Sequence, residues 1–236
     1  MAARRSSGIQ KLDDLIEGGF KEGSVVMIEG DAGSGKSTLA IHYLLSGVKA
    51  GEKVIYLSIE ESEKNFLDNM GRFGFNIQEY QKTDHFLFYE CNAQRLREFL
   101  EKGILGIEDK ISQMHATRLV IDSVSAFALL YETEAKQRTA VQRLFEKLKS
   151  WGITTLIISE SSSDYSSFGL QYIVDGWIRM RYKKVGRERI RTIEVLKMRG
   201  TKHQTTEVVY RIEDNGINLY PSEKIFDQEE NGDRLR

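Results

Sequence analysis

Three features of the sequence predict an α/β fold, with a mostly parallel central sheet flanked by helices and antiparallel strands at its C-terminal side. From Ser24 to Ser159, short apolar runs alternate with helix-spaced segments, the pattern of parallel strands joined by crossover helices. A glycine-rich loop, Gly30 to Ser37, stands between the first of those runs and its helix. Beyond Tyr172 the alternation stops and only strand-like runs remain, which adds hairpins to the sheet.

Taken in order, Ser7 to Gly23 predicts a short amphipathic helix closed by the Gly18-Gly19 turn. Ser24 to Glu29 is the first strand, and Thr38 to Leu45 has helical spacing. Between them, Gly30-Asp31-Ala32-Gly33-Ser34-Gly35-Lys36-Ser37 reads G-x-x-x-x-G-K-[ST], a phosphate-binding loop. Small residues let the backbone wrap so that successive N–H groups converge on a phosphate, and the following helix adds the positive end of its dipole. Lys36 is expected to reach the β- and γ-phosphates, and Ser37 to ligate Mg²⁺, with Thr38 completing the binding set. A chance glycine-rich turn is the competing reading, and the strand–loop–helix order counts against it.

Lys53 to Ile59 is a buried strand that ends on Glu60-Glu61, and Ser62 to about Arg72 is a helix. Ligands of open α/β sheets sit at the carboxyl ends of strands, so both carboxylates fall on the edge of the phosphate loop. His85 to Tyr89 is another strand, and Asn92 to His115 one or two helices. Arg118 to Asp122 is an apolar strand ending in a carboxylate suited to holding Mg²⁺. Glu134 to Lys149 is a helix and Gly152 to Ser159 a strand, followed by a serine-rich loop from Glu160 to Gly169. Tyr172–Tyr182 with Arg189–Met198, and Glu207–Ile212 with Ile217–Tyr220, predict two hairpins.

The bulk numbers bound the class of protein. At 236 residues, 40% hydrophobic and 29% charged, the chain predicts one globular domain over 1–225 and a disordered tail over 226–236. A formal charge of −1 gives no global case for nucleic acid or an acidic membrane. One cysteine, Cys91, excludes an intramolecular disulfide, and no apolar run suits a signal peptide or a membrane span. A cytoplasmic location is therefore expected.

The segments Ser7-Gly8-Ile9, Gly18-Gly19-Phe20, the phosphate loop, Glu60-Glu61-Ser62, Phe73-Gly74-Phe75, Ile121 to Ala126, and Leu196 to Thr201 with His203 occur in one order. On these segments the chain resembles a single-domain member of the RecA superfamily, on the branch of the circadian clock ATPase KaiC. The resemblance implies a RecA-like P-loop fold, Mg²⁺ and ATP as ligands, and a homohexameric ring with active sites at subunit boundaries. It implies Glu60 as the general base with Glu61 beside it. Lys197 and Arg199 would reach the γ-phosphate of a neighbouring subunit's ATP, and Met198, Thr201 and His203 would contact that nucleotide. Arg72 and Phe73 would touch the adenosine.

The chain also departs from the clock protein. It carries one such domain where the clock protein has two. Gln171 and Tyr172 stand where the clock protein's phosphorylated Ser and Thr align, and Thr205 replaces a further lysine. Competing functions are an ATP-gated module that binds an unidentified protein partner with little turnover, and a recombinase-like DNA-binding ATPase. For DNA, the segment Arg179 to Lys202 is basic; against it, the loops Leu130–Arg138 and Ser161–Gly169 carry acids. A small-molecule kinase lacks the Arg-rich lid it would need.

Overall fold

The computed structural model describes residues 3–102, 106–161 and 169–223. The expected tail and most of the serine-rich loop lie outside the described residues. The chain opens with β1 (Arg4–Arg5), α1 (Gln10–Leu15) and β2 (Phe20–Lys21), where β1 and β2 form a small antiparallel ribbon. The strand–helix alternation then runs β3 (Val25–Gly30), α2 (Lys36–Lys49), β4 (Val54–Ser58), α3 (Glu63–Gly71), α4 (Ile77–Lys82) and β5 (Phe86–Glu90). It continues with α5 (Ala93–Lys102), α6 (Ile107–Met114), β6 (Arg118–Asp122), α7 (Val124–Ala128), α8 (Glu134–Trp151) and β7 (Thr154–Glu160). After α9 (Leu170–Ile173) come β8 (Gly176–Val185), β9 (Glu188–Met198), β10 (Val208–Glu213) and β11 (Gly216–Tyr220).

The main sheet has the order β11-β10-β9-β8-β3-β7-β6-β4-β5. From β8 to β5 every pairing is parallel, and β9, β10 and β11 extend the other side antiparallel. This is the predicted α/β architecture. Its central strands read as unbroken apolar runs because both faces are covered: along β3, Val26 and Ile28 enter one core with α1 to α4, and Val25 and Met27 the other with α5 to α9. One expectation fails locally. Tyr172 and Ile173 lie in α9, and the strand starts only at Gly176, because Leu170 and Val174 are buried in the second core at helical spacing.

Two buried polar devices tie this frame together. Arg118, 2% exposed, donates to Glu52, to the Ser6 and Tyr43 carbonyls and to Ser46, joining the N-terminal segment to β6 and α2. Burial would raise the Glu52 pKa, but hydrogen bonds from Arg118 and Thr117 outweigh it and hold the carboxyl down to about 2. On α2, His42 Nε2 accepts the Ile217 N–H at 2.9 Å, with its ring edge-on to Phe75. A side chain at Gly216 would begin 2.1 Å from that nitrogen, so the contact requires glycine there.

Burial, helped by Lys49, pushes the His42 pKa down to about 4. An unfolded histidine titrates near 6.5, so the unfolded chain takes up the proton first. This contribution to stability is complete above about pH 6.5 and is lost as pH falls through about 4. Urea midpoints should therefore drop across that window, and a His42→Gln variant, which keeps an acceptor without a titration, should flatten this part of the profile. An unchanged profile in the variant would remove His42 as its cause.

Candidate active site

The carboxyl ends of the parallel strands bring the predicted groups to one edge. Gly30 pairs with Glu160 across β3 and β7, and Ser58 with Asp122 across β4 and β6. The loop after β3 takes its shape from glycine: Gly33 and Gly35 adopt left-handed φ of +75° and +86°. A Cβ on Gly30 would lie 2.2 Å from the Met180 carbonyl oxygen, so β3 meets β8 there without a side chain between them. Helix α2 begins at Lys36 and aims its N-terminus at the loop.

Within the loop, Lys36 Nζ donates to the carbonyls of Gly30 (2.9 Å) and Asp31 (3.0 Å). Burial lowers the Lys36 pKa from the usual lysine value, and Glu160, Asp122 and Asp31 oppose that shift in descending order. Ser34 is fully buried, and its hydroxyl has no hydrogen-bond partner among the described residues. A buried orphan hydroxyl, a lysine resting on loop carbonyls and a helix N-terminus together have the chemistry to receive an anion.

Ser37 Oγ donates to Asp122 Oδ2 at 2.7 Å, and the Tyr56 hydroxyl donates to the same oxygen at 2.5 Å. The peptide bond from Asp122 to Ser123 is cis. Ser37 and Asp122 are hard oxygen donors of the kind Mg²⁺ takes alongside phosphate oxygens and water. Among the described residues no group of three or more His, Cys, Asp or Glu could hold a metal unaided, so a cation here would be shared with a bound anion.

The two adjacent glutamates part company. Glu60 turns toward the Asp122 strand end, where Ser123 Oγ donates to its Oε2 at 3.4 Å. Glu61 turns toward α3: its backbone is pinned by Ser58 Oγ, and Asn69 donates to its Oε1 at 2.8 Å. Thr38 is buried on α2. Arg72 is exposed at the end of α3, and Phe73 packs near Phe75 against the first core.

The remaining predicted residues lie on the opposite edge of the sheet. Lys197 and Met198 pair with Trp177 and Gly176, which in turn pair with Met27 and Val26. That is three to four residues from Gly30, about 10–13 Å along β3. Lys197 Nζ donates to the Gln171 and Tyr172 carbonyls, and Arg199 to those of Tyr172 and Ile173, at the end of α9. Met198 is buried, its sulfur packed against Gly176. Thr201 accepts from Arg4, and His203 Nδ1 sits 3.5 Å from the Thr201 carbonyl.

The sequence reading missed four residues beside the loop. The Tyr182 N–H donates to Asp31 Oδ2, Arg191 Nε to the Gly33 carbonyl, and the Tyr210 hydroxyl to the Ser34 carbonyl. Glu160, read as the start of a loop, is held at the edge by its N–H bond to Ser125 Oγ. For Glu160 the end of an apolar strand was an available signal. For the other three nothing in the sequence tied a hairpin to a loop some 150 residues upstream.

Comparison with known proteins bears on the family and the fold. The family profile described as "ATPase: KaiC" matches residues 5–224. A UPF0273 protein of Thermotoga maritima is 31% identical over 240 residues, covering 94% of this chain and 98% of the relative. The circadian clock oscillator protein KaiC of Parasynechococcus marenigrum is 30% identical over 226 residues; these span 91% of this chain but 44% of that protein. Among solved structures, a KaiC-like protein from Pyrococcus horikoshii OT3 superposes with a TM-score of 0.84 at 32% identity, covering 94% of this chain and 100% of the other.

The loop's two kinds of glycine predict different costs. Gly30→Ala drives a Cβ into the Met180 backbone and should destabilise the fold by about 3 kcal/mol or more. In Gly33→Ala the nearest atom is Tyr182 Cδ1 at 3.9 Å, so only the left-handed φ is penalised, by about 1 kcal/mol. Urea unfolding of both variants checks the order; equal losses would mean that the β3–β8 approach is not limiting.

Proposed function

This chain belongs to the KaiC ATPase family, and from that premise we propose that it binds ATP with Mg²⁺ and hydrolyses it slowly at a site completed by a neighbouring copy. The observation that carries the binding reading is the Ser37–Asp122 pair, 2.7 Å apart, beside a glycine nest and a buried lysine. Phosphoryl transfer needs positioning and charge neutralisation more than covalent chemistry. The loop amides and the orphan Ser34 hydroxyl donate to the phosphate oxygens, and Lys36 leaves its carbonyls for the β- and γ-phosphates. Bound Mg²⁺ supplies charge neutralisation at the phosphate oxygens, and Ser37 and Asp122 are the residues that would hold it. Glu60, the carboxylate turned toward Asp122, takes a proton from the attacking water, whereas Glu61 is engaged by Asn69.

The trans completion rests on the position of Lys197 and Arg199. Both sit on β9 or just past it, two strands across and about 10 Å or more along the sheet from their own loop. They are out of reach of a γ-phosphate in the same chain. In a head-to-tail ring, six-membered by likeness to the family, they face the loop of the next copy, with Met198, Thr201 and His203 alongside. Arg72 and Phe73 are proposed to flank the adenosine.

One observation favours a second reading. Within a single chain these two cations are held by α9 carbonyls, so ATP can bind without the groups that complete the site. Such a protein would serve as an ATP-gated binding module with little turnover. Nucleic-acid binding forms no part of the proposal: of the hairpin's cations, Arg179 pairs with Glu29, Lys183 with Glu207, and Arg189 and Arg191 bond to the chain's own carbonyls.

Lys36→Ala should abolish nucleotide binding in calorimetry. Glu60→Gln should keep ATP bound and lower kcat by roughly 100-fold or more; normal turnover would reassign the base. Lys197→Ala with Arg199→Ala should spare ATP binding and cut hydrolysis by about 1,000-fold. In the wild type, activity per subunit should rise with protein concentration as a ring-sized particle forms. Flat activity with an ATP-dependent change in mass would favour the gated module.

A further inference from the structure

The phosphate loop holds its amides inward only if its carbonyls are held outward, because the N–H and C=O of one rigid trans peptide point opposite ways. Each outward carbonyl needs a donor. Gly30 and Asp31 receive Lys36, and Gly30 also receives the Ser161 N–H at 3.0 Å. Lys36 is the donor that phosphate will claim. The Gly33 and Ser34 carbonyls are served from the C-terminal strands, by side chains with no place in the chemistry. Arg191 Nε donates to Gly33 at 3.1 Å, and the Tyr210 hydroxyl donates to Ser34. These bonds aim the Ser34 and Gly35 amides into the loop, where the Ser34 N–H now spans to the Asp31 carbonyl at 3.2 Å.

Arg191 is itself held in place. Its guanidinium lies over the Tyr182 ring, 4.3 Å from the centroid, and Arg189 lies over the same ring at 5.4 Å. The Tyr182 N–H donates to Asp31 Oδ2 at 2.8 Å, so the β8–β9 hairpin grips the loop at both Asp31 and Gly33. We propose that Arg191 is a positioning residue for nucleotide binding: through its Nε–H it fixes the Gly33 carbonyl outward and presets the loop amides for phosphate. Its role is that of a donor at one fixed distance along the side chain, not that of a charge beside the ligand. The inference rests on the reading that a nucleotide occupies this loop.

Three substitutions separate the alternatives. Arg191→Gln keeps an N–H donor the same number of bonds from Cα as Nε and loses the charge. Arg191→Lys keeps the charge and moves the donor one bond outward. Arg191→Met keeps neither. The probe is a fluorescent ADP analogue titrated into each full-length variant, with kcat, KM and the urea midpoint of the nucleotide-free protein recorded alongside. Gln should bind within about threefold of wild type, while Lys and Met weaken binding about tenfold, the loss expected for one hydrogen bond from a charged donor. KM should rise with the dissociation constant, kcat should change little, and the midpoint should move little because the side chain is half-buried and outside both hydrophobic cores. Retention in Lys with loss in Gln would overturn the proposal in favour of a direct charge contact with the ligand. Equal binding in all variants would remove the role, and midpoints falling with affinity would make it merely structural. Lys36→Ala is the control: if the wild type binds the probe no better than that variant, the reading of the loop as a nucleotide site fails, and this one with it.

Discussion

The approach of β3 to β8 at Gly30 is the constraint on which the rest of the molecule depends. A carbonyl of Met180 occupies the space that any side chain at Gly30 would need. Because the two strands lie so close, β8 and its hairpin partner β9 run past the phosphate loop and contact it directly. The same parallel pairing lines up the ends of β3, β7, β6 and β4 on one edge. A loop that must present bare amides to an anion cannot hold itself in shape by its own hydrogen bonds; the neighbouring strands hold it.

Much of this was legible in the sequence, and for identifiable reasons. The central strands declared themselves because they are covered on both faces, which keeps their middles apolar and leaves most of their polar residues near the strand ends. The loop declared itself because its chemistry admits few residue types. Apart from the resemblance, which favours Glu60, nothing in the residues set Glu60 and Glu61 apart, since neighbours on a strand end differ only in what lies beside them: Ser123 in one case, Asn69 in the other. The start of β8 was misplaced because Tyr172 and Ile173 suit a strand intrinsically, while tertiary packing of Leu170 and Val174 sets a helical turn. The basic hairpin read as one charged surface. In the structure its cations have separate destinations, some to carboxylates, some to an aromatic ring and some to loop carbonyls.

Electrostatics at the edge follow the same division of labour. Burial works against the Lys36 charge and three carboxylates work for it, so the ammonium is kept by its surroundings and not by water. Asp122 is fixed by two hydroxyl donors, Ser37 and Tyr56, both supplied by elements of the first core. Lys36 apart, the groups proposed to receive the anion are set by packing before any ligand arrives, which limits the reorganisation that binding must drive.

The placement of Lys197 and Arg199 on the sheet edge away from the loop gives each chain a direction. One end offers the Lys197–Arg199 pair and the other the glycine-rich loop. Under the proposed trans arrangement, copies joined in an open row always leave one terminal loop unserved and one terminal pair of cations idle. Closing the row removes both ends at once. The last junction therefore completes a site without adding a subunit. In a short row that unserved loop is a large fraction of the whole, so full occupancy of the catalytic geometry belongs to the closed particle alone.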